Sequence, residues 1–233
     1  MTEEPGGNLP GAGMSSERDP PLILKTDLFG TVGRISRTGG DVVVRDTRPA
    51  RPGLRWLARH LARREARALG RLEGCAGTPA LLRFDGVTLE RAWIAGQPMQ
   101  QARPRHPAFY RDALRLLRRL HRAGVSHNDL AKETNWLVTP DGGPALVDFQ
   151  LAVVHRGRGR LFRALAREDL RHLLKHKRTY CPQRITRRQQ QLLAKPALHS
   201  RLWMATGKRL YLLITRRVLG WADREGASDR RLD

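Results

Sequence analysis

Asp129, Asn135 and Asp148 bring two carboxylates and an amide into one 20-residue stretch of the chain. Asp129 and Asn135 bracket a short polar loop, and Asp148 ends the apolar run Ala145-Leu146-Val147, just after the turn signal Pro140-Asp141-Gly142-Gly143. If the segments around Trp136 and Val147 pair as a hairpin, the three side chains come to one edge of it. Hard oxygen donors of this kind suit Mg²⁺ or Mn²⁺. The carboxylate left over is free to orient a hydroxyl nucleophile. Positioning and charge neutralisation are what phosphoryl transfer asks of a protein, so that is the chemistry these residue types predict.

Several elements must hold such a loop. Leu22 to Thr47 reads as strands (Leu22–Leu24, Thr31–Ile35 and Asp41–Arg45) with Gly30, Gly33 and Gly39-Gly40 at the turns. Leu54, Leu57, Leu61, Glu65, Ala68 and Leu72 recur at helical spacing. Leu81–Phe84 and Val87–Ile94 read as a strand pair turning at Asp85-Gly86, broken at Ala95-Gly96-Gln97-Pro98. Phe109, Ala113, Leu116, Leu117, Leu120 and Ala123 make a second apolar stripe that stops at Gly124, and the chain reads as helix beyond Arg160. The expected class is therefore α+β with two lobes. A disordered tail spans 1–20, a β-rich lobe with one helix 21–96, a mainly helical lobe carrying the polar loop 97–195, and a basic amphipathic segment 196–233. In that last segment Trp203, Leu210, Ile214, Val218 and Trp221 share a helical face among arginines and lysines.

The run His127-Asn128-Asp129-Leu130, with Asn135 after it and Asp148-Phe149-Gln150 farther on, resembles the catalytic loop H-R-D-L-x-x-x-N and the D-F-G of the protein kinase superfamily. It is nearest in flavour to small bacterial kinase-like proteins such as the RIO-type kinases and the lipopolysaccharide-core (Kdo) kinases. The resemblance covers roughly Leu22 to Leu174. It implies a two-lobed kinase-like fold that uses ATP with Mg²⁺ or Mn²⁺. Asp129 would be the catalytic base or hydroxyl-orienting residue, Lys132 would touch the γ-phosphate, and Asn135 and Asp148 would hold the metal. Gly30-Thr31-Val32-Gly33 falls where such a fold places its phosphate-covering loop, and Val42-Val43-Val44-Arg45 resembles the strand that carries the nucleotide-binding lysine. Glu65 lies on the apolar face of its helix, where a carboxylate is costly unless paired. Arg45–Glu65 is therefore expected as the counterpart of the kinase Lys–Glu pair. The departures are one extra residue between Asp129 and Asn135, Arg45 in place of lysine, Gln150 in place of glycine, and no match to an A-P-E segment. His127 is expected to prop the loop by hydrogen bonding and Trp136 to pack beneath it, while Asp169 is expected either to anchor the loop from below or, as the preferred reading, to act as an N-terminal acid of a helix opening at Glu168.

The net charge is +22, and between Arg156 and Asp233 basic residues outnumber acids 21 to 6. Such a field attracts nucleotides, nucleic acid or an anionic membrane surface without choosing among them. Cys75 and Cys181 lack metal-ligand spacing and read as ordinary thiols. No signal-like start is visible, and the longest apolar runs, such as Leu210–Ile214, fall far short of the roughly 20 residues a membrane span needs. The expectation is a cytoplasmic protein, with peripheral contact at the inner membrane face through its last segment. The leading functional expectation is an ATP-dependent phosphotransferase acting on a hydroxyl of a protein or of a glycolipid. A nucleotide-binding pseudokinase and an RNA- or ribosome-associated binding protein are the alternatives. Against the last stand an aromatic content of 6% and the lack of a basic-aromatic RNA-reading motif.

Overall fold

The computed structural model describes residues 22–194, so the tail expected over 1–20 and the basic segment expected over 196–233 lie outside the described residues. Within them the chain is α+β. Strands β1 (Leu22–Asp27), β2 (Gly30–Ile35), β3 (Val42–Asp46), β4 (Leu81–Phe84) and β5 (Thr88–Ala92) form an antiparallel sheet in the order β1-β2-β3-β5-β4. Helix α1 (Arg55–Arg71) joins β3 to β4 and packs on the sheet. Its buried positions are mostly alanine (Ala58, Ala62, Ala66 and Ala68), which lets the helix backbone lie close to the strands.

The rest of the described chain is mainly helical. It runs β6 (Gln97–Pro98), α2 (Met99–Ala102), α3 (Pro107–Arg122), β7 (Val125–Ser126), β8 (Trp136–Val138), β9 (Pro144–Leu146), β10 (Val153–Val154), α4 (Arg160–Tyr180) and α5 (Arg187–Ala194). Pro107 opens α3 at a position where no backbone donor is needed, and His106 Nδ1 accepts from the Ala108 amide at 3.3 Å. The apolar stripe on α3 behaves as its spacing predicts: Phe109, Ala113, Leu116, Leu117 and Leu120 are all buried. They share one core with Ala68, Leu69 and Leu72 from α1 and its end, and with Leu130, Trp136, Leu146, Phe149 and Leu173. The end of α1 thus belongs to the helical core while its middle faces the sheet.

Two tight approaches fix how the parts meet. A Cβ at Gly96 would sit 2.9 Å from the Val138 carbonyl oxygen and 3.1 Å from Leu137 Cβ, so only glycine lets the chain enter β6 alongside β8. At Gly77, whose φ is 88°, the backbone carbonyl accepts from the Leu146 amide at 2.8 Å. A side chain there would collide with Pro144 and Leu116.

Differences from the expected elements are local. β5 runs Thr88–Ala92, starting one residue later and stopping two residues earlier than expected. Gly30 and Gly33 lie inside β2, and the turn before them is Leu28-Phe29, closed by Asp27 Oδ1 accepting from the Phe29 amide at 2.8 Å. Gly30, with φ at 125°, is needed for packing: a Cβ would meet the Asp46 carbonyl of β3. α4 is one helix from Arg160, so Glu168 and Asp169 sit in its middle, where a helix-terminal charge effect does not reach.

α4 also sets an acid limit on stability. Burial pushes the His172 imidazole down to about 4 from its ordinary 6.5, and Lys175 adds to the shift. The folded state therefore prefers neutral His172, and the unfolded chain takes up the proton first as pH falls. Its contribution is complete above about pH 6.5 and is lost as pH drops towards about 4, amounting to about 3 kcal/mol. Urea midpoints should fall between pH 7.5 and 4.5, and His172→Leu should flatten that slope; an unchanged slope in the variant would remove His172 as the cause.

Candidate active site

The hairpin required by the sequence forms. β8 pairs antiparallel with β9, Trp136 opposite Leu146, and one step beyond the register the Val147 amide donates to the Asn135 carbonyl at 3.1 Å. Asn135 closes a 3₁₀ turn over Glu133–Asn135. Its Nδ2 donates to the Asp129 carbonyl at 2.9 Å and to Asp129 Oδ2 at 3.0 Å. Lys132 Nζ lies 3.0 Å from the same carboxylate oxygen. Asp129, Lys132 and Asn135 thus form one bonded group in which Asn135 spends its nitrogen on Asp129 and keeps Oδ1 as the atom able to face a cation.

Asp148 follows the hairpin with φ at 63°, a left-handed conformation uncommon for a residue other than glycine. Its Oδ1 is buried and makes no hydrogen bond. A buried carboxylate oxygen without a donor is costly, and a cation would satisfy it, so Asp148 and the Asn135 amide oxygen fit a hard metal ion. Among the described residues no group of three or more His, Cys, Asp or Glu side chains converges on a metal position. The fit is therefore to an ion whose remaining ligands come from water or a bound phosphate, which is how Mg²⁺ usually sits.

Glu65 is fully buried on α1 and pairs with Arg45 Nε at 3.2 Å, as expected, and also with Arg91 Nε at 3.2 Å. Neither contact is aligned as a hydrogen bond, so the triad is held by charge. Arg45 on β3 stands opposite Leu89 of β5, two positions from Arg91. Burial pulls the Arg91 guanidinium below the ordinary arginine value and Arg45 adds to that, while Glu65 and Asp148 oppose it. Asp148 therefore lies within electrostatic reach of this triad. Gln150 joins it too: with its amide oxygen turned towards Arg45 it accepts from the two terminal nitrogens at 2.5 and 3.3 Å. Gly30 and Gly33 sit farther out on β2, where Gly33 stands opposite Val44, the residue before Arg45.

α4 braces the loop along one face. Asp169 Oδ2 accepts from the His127 amide at 2.9 Å and lies 3.1 Å from His121 Nε2, and Asp169 Oδ1 accepts from the Asn128 amide at 2.9 Å. Seven residues on, His176 Nε2 meets the Leu130 carbonyl at 2.8 Å, and four further, the Tyr180 hydroxyl donates to Glu133 Oε2 at 2.5 Å. Spacings of seven and eleven are two and three helical turns, so one stripe of α4 tracks the loop from 127 to 133. Asp169 thus anchors the loop and is not a helix-start acid. His127 props the loop as expected: it is buried, its Nε2 lies 3.1 Å from the Val147 carbonyl, and its ring lies 4.6 Å from that of Phe149. Trp136 is fully buried beneath.

Replacing Asp169 by Asn keeps the shape but points an NH₂ at backbone donors. The expected cost is about 3 kcal/mol, read by urea unfolding, with faster amide exchange at His127 and Asn128. Unchanged exchange at those two amides would show that the loop holds itself.

Sequence reasoning missed Arg91, His176 and Tyr180, and it named Gln150 only as the replacement of a glycine, not as a partner of Arg45. Arg91 was within reach, since a central strand residue two positions from the Arg45 register faces the same side. Among the described residues no helix is long and apolar enough to cross a membrane. No protein-family model matches this chain and no curated protein matches it, so the functional reading rests on the site's own geometry.

Proposed function

We propose that the protein is an ATP-dependent phosphotransferase with a two-lobed, kinase-like architecture. Its acceptor is a hydroxyl of a protein or glycolipid. The observation that carries this reading is the Asp129–Lys132–Asn135 group placed beside a hairpin whose Asp148 keeps a buried, unbonded carboxylate oxygen. Asp148 and Asn135 Oδ1 would hold a Mg²⁺ or Mn²⁺ ion, which would neutralise the triphosphate's charge. The other work falls to the chain. Asp129 orients the acceptor hydroxyl and takes its proton as the oxygen bonds to the γ-phosphorus and the bond to the β–γ bridging oxygen breaks, releasing ADP. Lys132, exposed and beside Asp129, steadies the transferred group. Arg45 meets the nucleotide's phosphates, and Glu65 holds Arg45 in place.

One observation favours a second reading. Gln150 occupies Arg45 where a smaller residue would leave it open, which suits a nucleotide-binding protein without turnover. Transfer from γ-labelled ATP, with Mg²⁺ or Mn²⁺ and with a basic protein or a lipopolysaccharide extract as acceptor, separates the two. Metal-dependent labelling supports the phosphotransferase. Metal-dependent ATP binding with no labelling supports the second reading, and absence of both sinks the site. Asp148→Asn is expected to weaken metal-dependent ATP binding about 10- to 100-fold; intact binding in that variant would remove Asp148 from the site.

A further inference from the structure

The outward face of α1 carries no part of the site and has an unusual composition. Arg55, Arg59, Arg63, Arg67 and Arg71 recur at every fourth position, with Trp56 and His60 between them, and all seven are exposed. Trp56, at 69%, is the most exposed large apolar side chain among the described residues. The helix has a single acid, Glu65, and it is buried on the opposite side. Among the described residues no carboxylate pairs with any of the five arginines. Like charges four apart repel along a helix, so this row opposes the helix that carries it. An external anion relieves that repulsion.

The shape and the neighbours indicate which anion. A helix of 17 residues is about 25 Å long, and its arginines wind slowly around one side, giving a long, shallow basic strip. The apolar groups beside it are of two kinds. Trp56 lies within the strip. Leu151 and Val154, 37% and 39% exposed, lie where β10 packs against α1, and Arg64 donates to the Leu151 carbonyl at 2.8 Å. A tryptophan among arginines with exposed aliphatic chains alongside is the composition of an interfacial helix. Single-stranded nucleic acid would call for further aromatic surface to stack its bases, and this face offers only Trp56 and the small ring of His60.

We propose that this face of α1 seats the protein on an anionic lipid surface, with the guanidinium groups on headgroup phosphates and Trp56 at headgroup depth. This is independent of the phosphotransferase reading, since it uses no residue of that site.

The test is flotation of the full chain with vesicles of phosphatidylcholine alone or mixed with phosphatidylglycerol. Arg59→Gln, Arg63→Gln and Arg67→Gln together should lower partition onto the mixed vesicles on the order of a hundredfold. Arg111→Gln, Arg118→Gln and Arg122→Gln on α3 remove the same charge from another exposed face and should lower it severalfold at most. Anionic vesicles should shift the tryptophan emission to the blue, and Trp56→Phe should abolish most of that shift. Equal losses in the two triple variants would reduce the effect to the protein's overall charge and overturn the proposal. So would a wild type that ignores anionic vesicles, or an α1 variant that loses single-stranded RNA but keeps its lipid binding.

Discussion

On the phosphotransferase reading, Asp129→Asn should lower the rate of phosphoryl transfer about a hundred- to ten-thousandfold while leaving the fold and ATP affinity close to wild type. The magnitude is that of a positioned group that accepts a proton in the transition state. The selectivity follows from the geometry. Asp129 Oδ2 accepts from Asn135 Nδ2 at 3.0 Å and faces Lys132 Nζ at 3.0 Å. An amide oxygen at the same position keeps both contacts, and the backbone carbonyl that also receives Asn135 Nδ2 is untouched. What the amide cannot do is take the hydroxyl's proton. The comparison is single-turnover transfer against equilibrium nucleotide binding in the same preparations. Transfer within a fewfold of wild type would show that Asp129 only shapes the loop, and the base would then have to be sought elsewhere.

Glu65→Ala should destabilise the protein by about 3–5 kcal/mol, the cost of removing one partner from a buried ion pair. Two guanidinium groups lose their counter-charge together. The side chains of Arg45 and Arg91 are only 12% and 11% exposed, so solvent does little to replace it. Truncation also opens space between α1 and the sheet. Glu65→Gln keeps the volume and should cost less, because its amide oxygen still faces one arginine. Adding Arg91→Met to Glu65→Ala should recover part of the loss, since one stranded cation goes. Urea unfolding of the three variants decides it: a loss below about 1 kcal/mol for Glu65→Ala would mean the arginines reach water when the carboxylate is gone.

The legible parts of this structure were those where a period or an energetic cost speaks within a short window. The stripe Phe109–Leu120 gave α3 because a buried helix face repeats every three to four residues. Glu65 pointed to a partner because its neighbours in the stripe were apolar, and Arg45 was named because Val42–Arg45 resembles the strand that carries the kinase lysine. The hairpin of β8 and β9 followed from Pro140-Asp141-Gly142-Gly143. Two pairings escaped, β6 with β8 and β7 with β10. β6, β7 and β10 are two-residue strands, too short for any alternation to register. Which of its two expected roles Asp169 takes depends on where α4 begins: with the helix running from Arg160, Asp169 lies too far along it to act as an N-terminal acid. His176 and Tyr180 reach the loop through bonds to a backbone carbonyl and to Glu133, contacts that no local pattern announces. Gly30 and Gly33 were placed in a turn because glycine usually marks one, but here Gly30 is required by the close approach of β3.

Two arginines on one buried carboxylate leave a spare counterion. With a single partner, drawing Arg45 towards a phosphate would strand Glu65 in the interior and set a high threshold for binding. On the phosphotransferase reading, Arg91, also 3.2 Å from that carboxylate, would keep Glu65 paired if an incoming phosphate drew Arg45 away. On that reading the second arginine lowers the charge cost of moving the first.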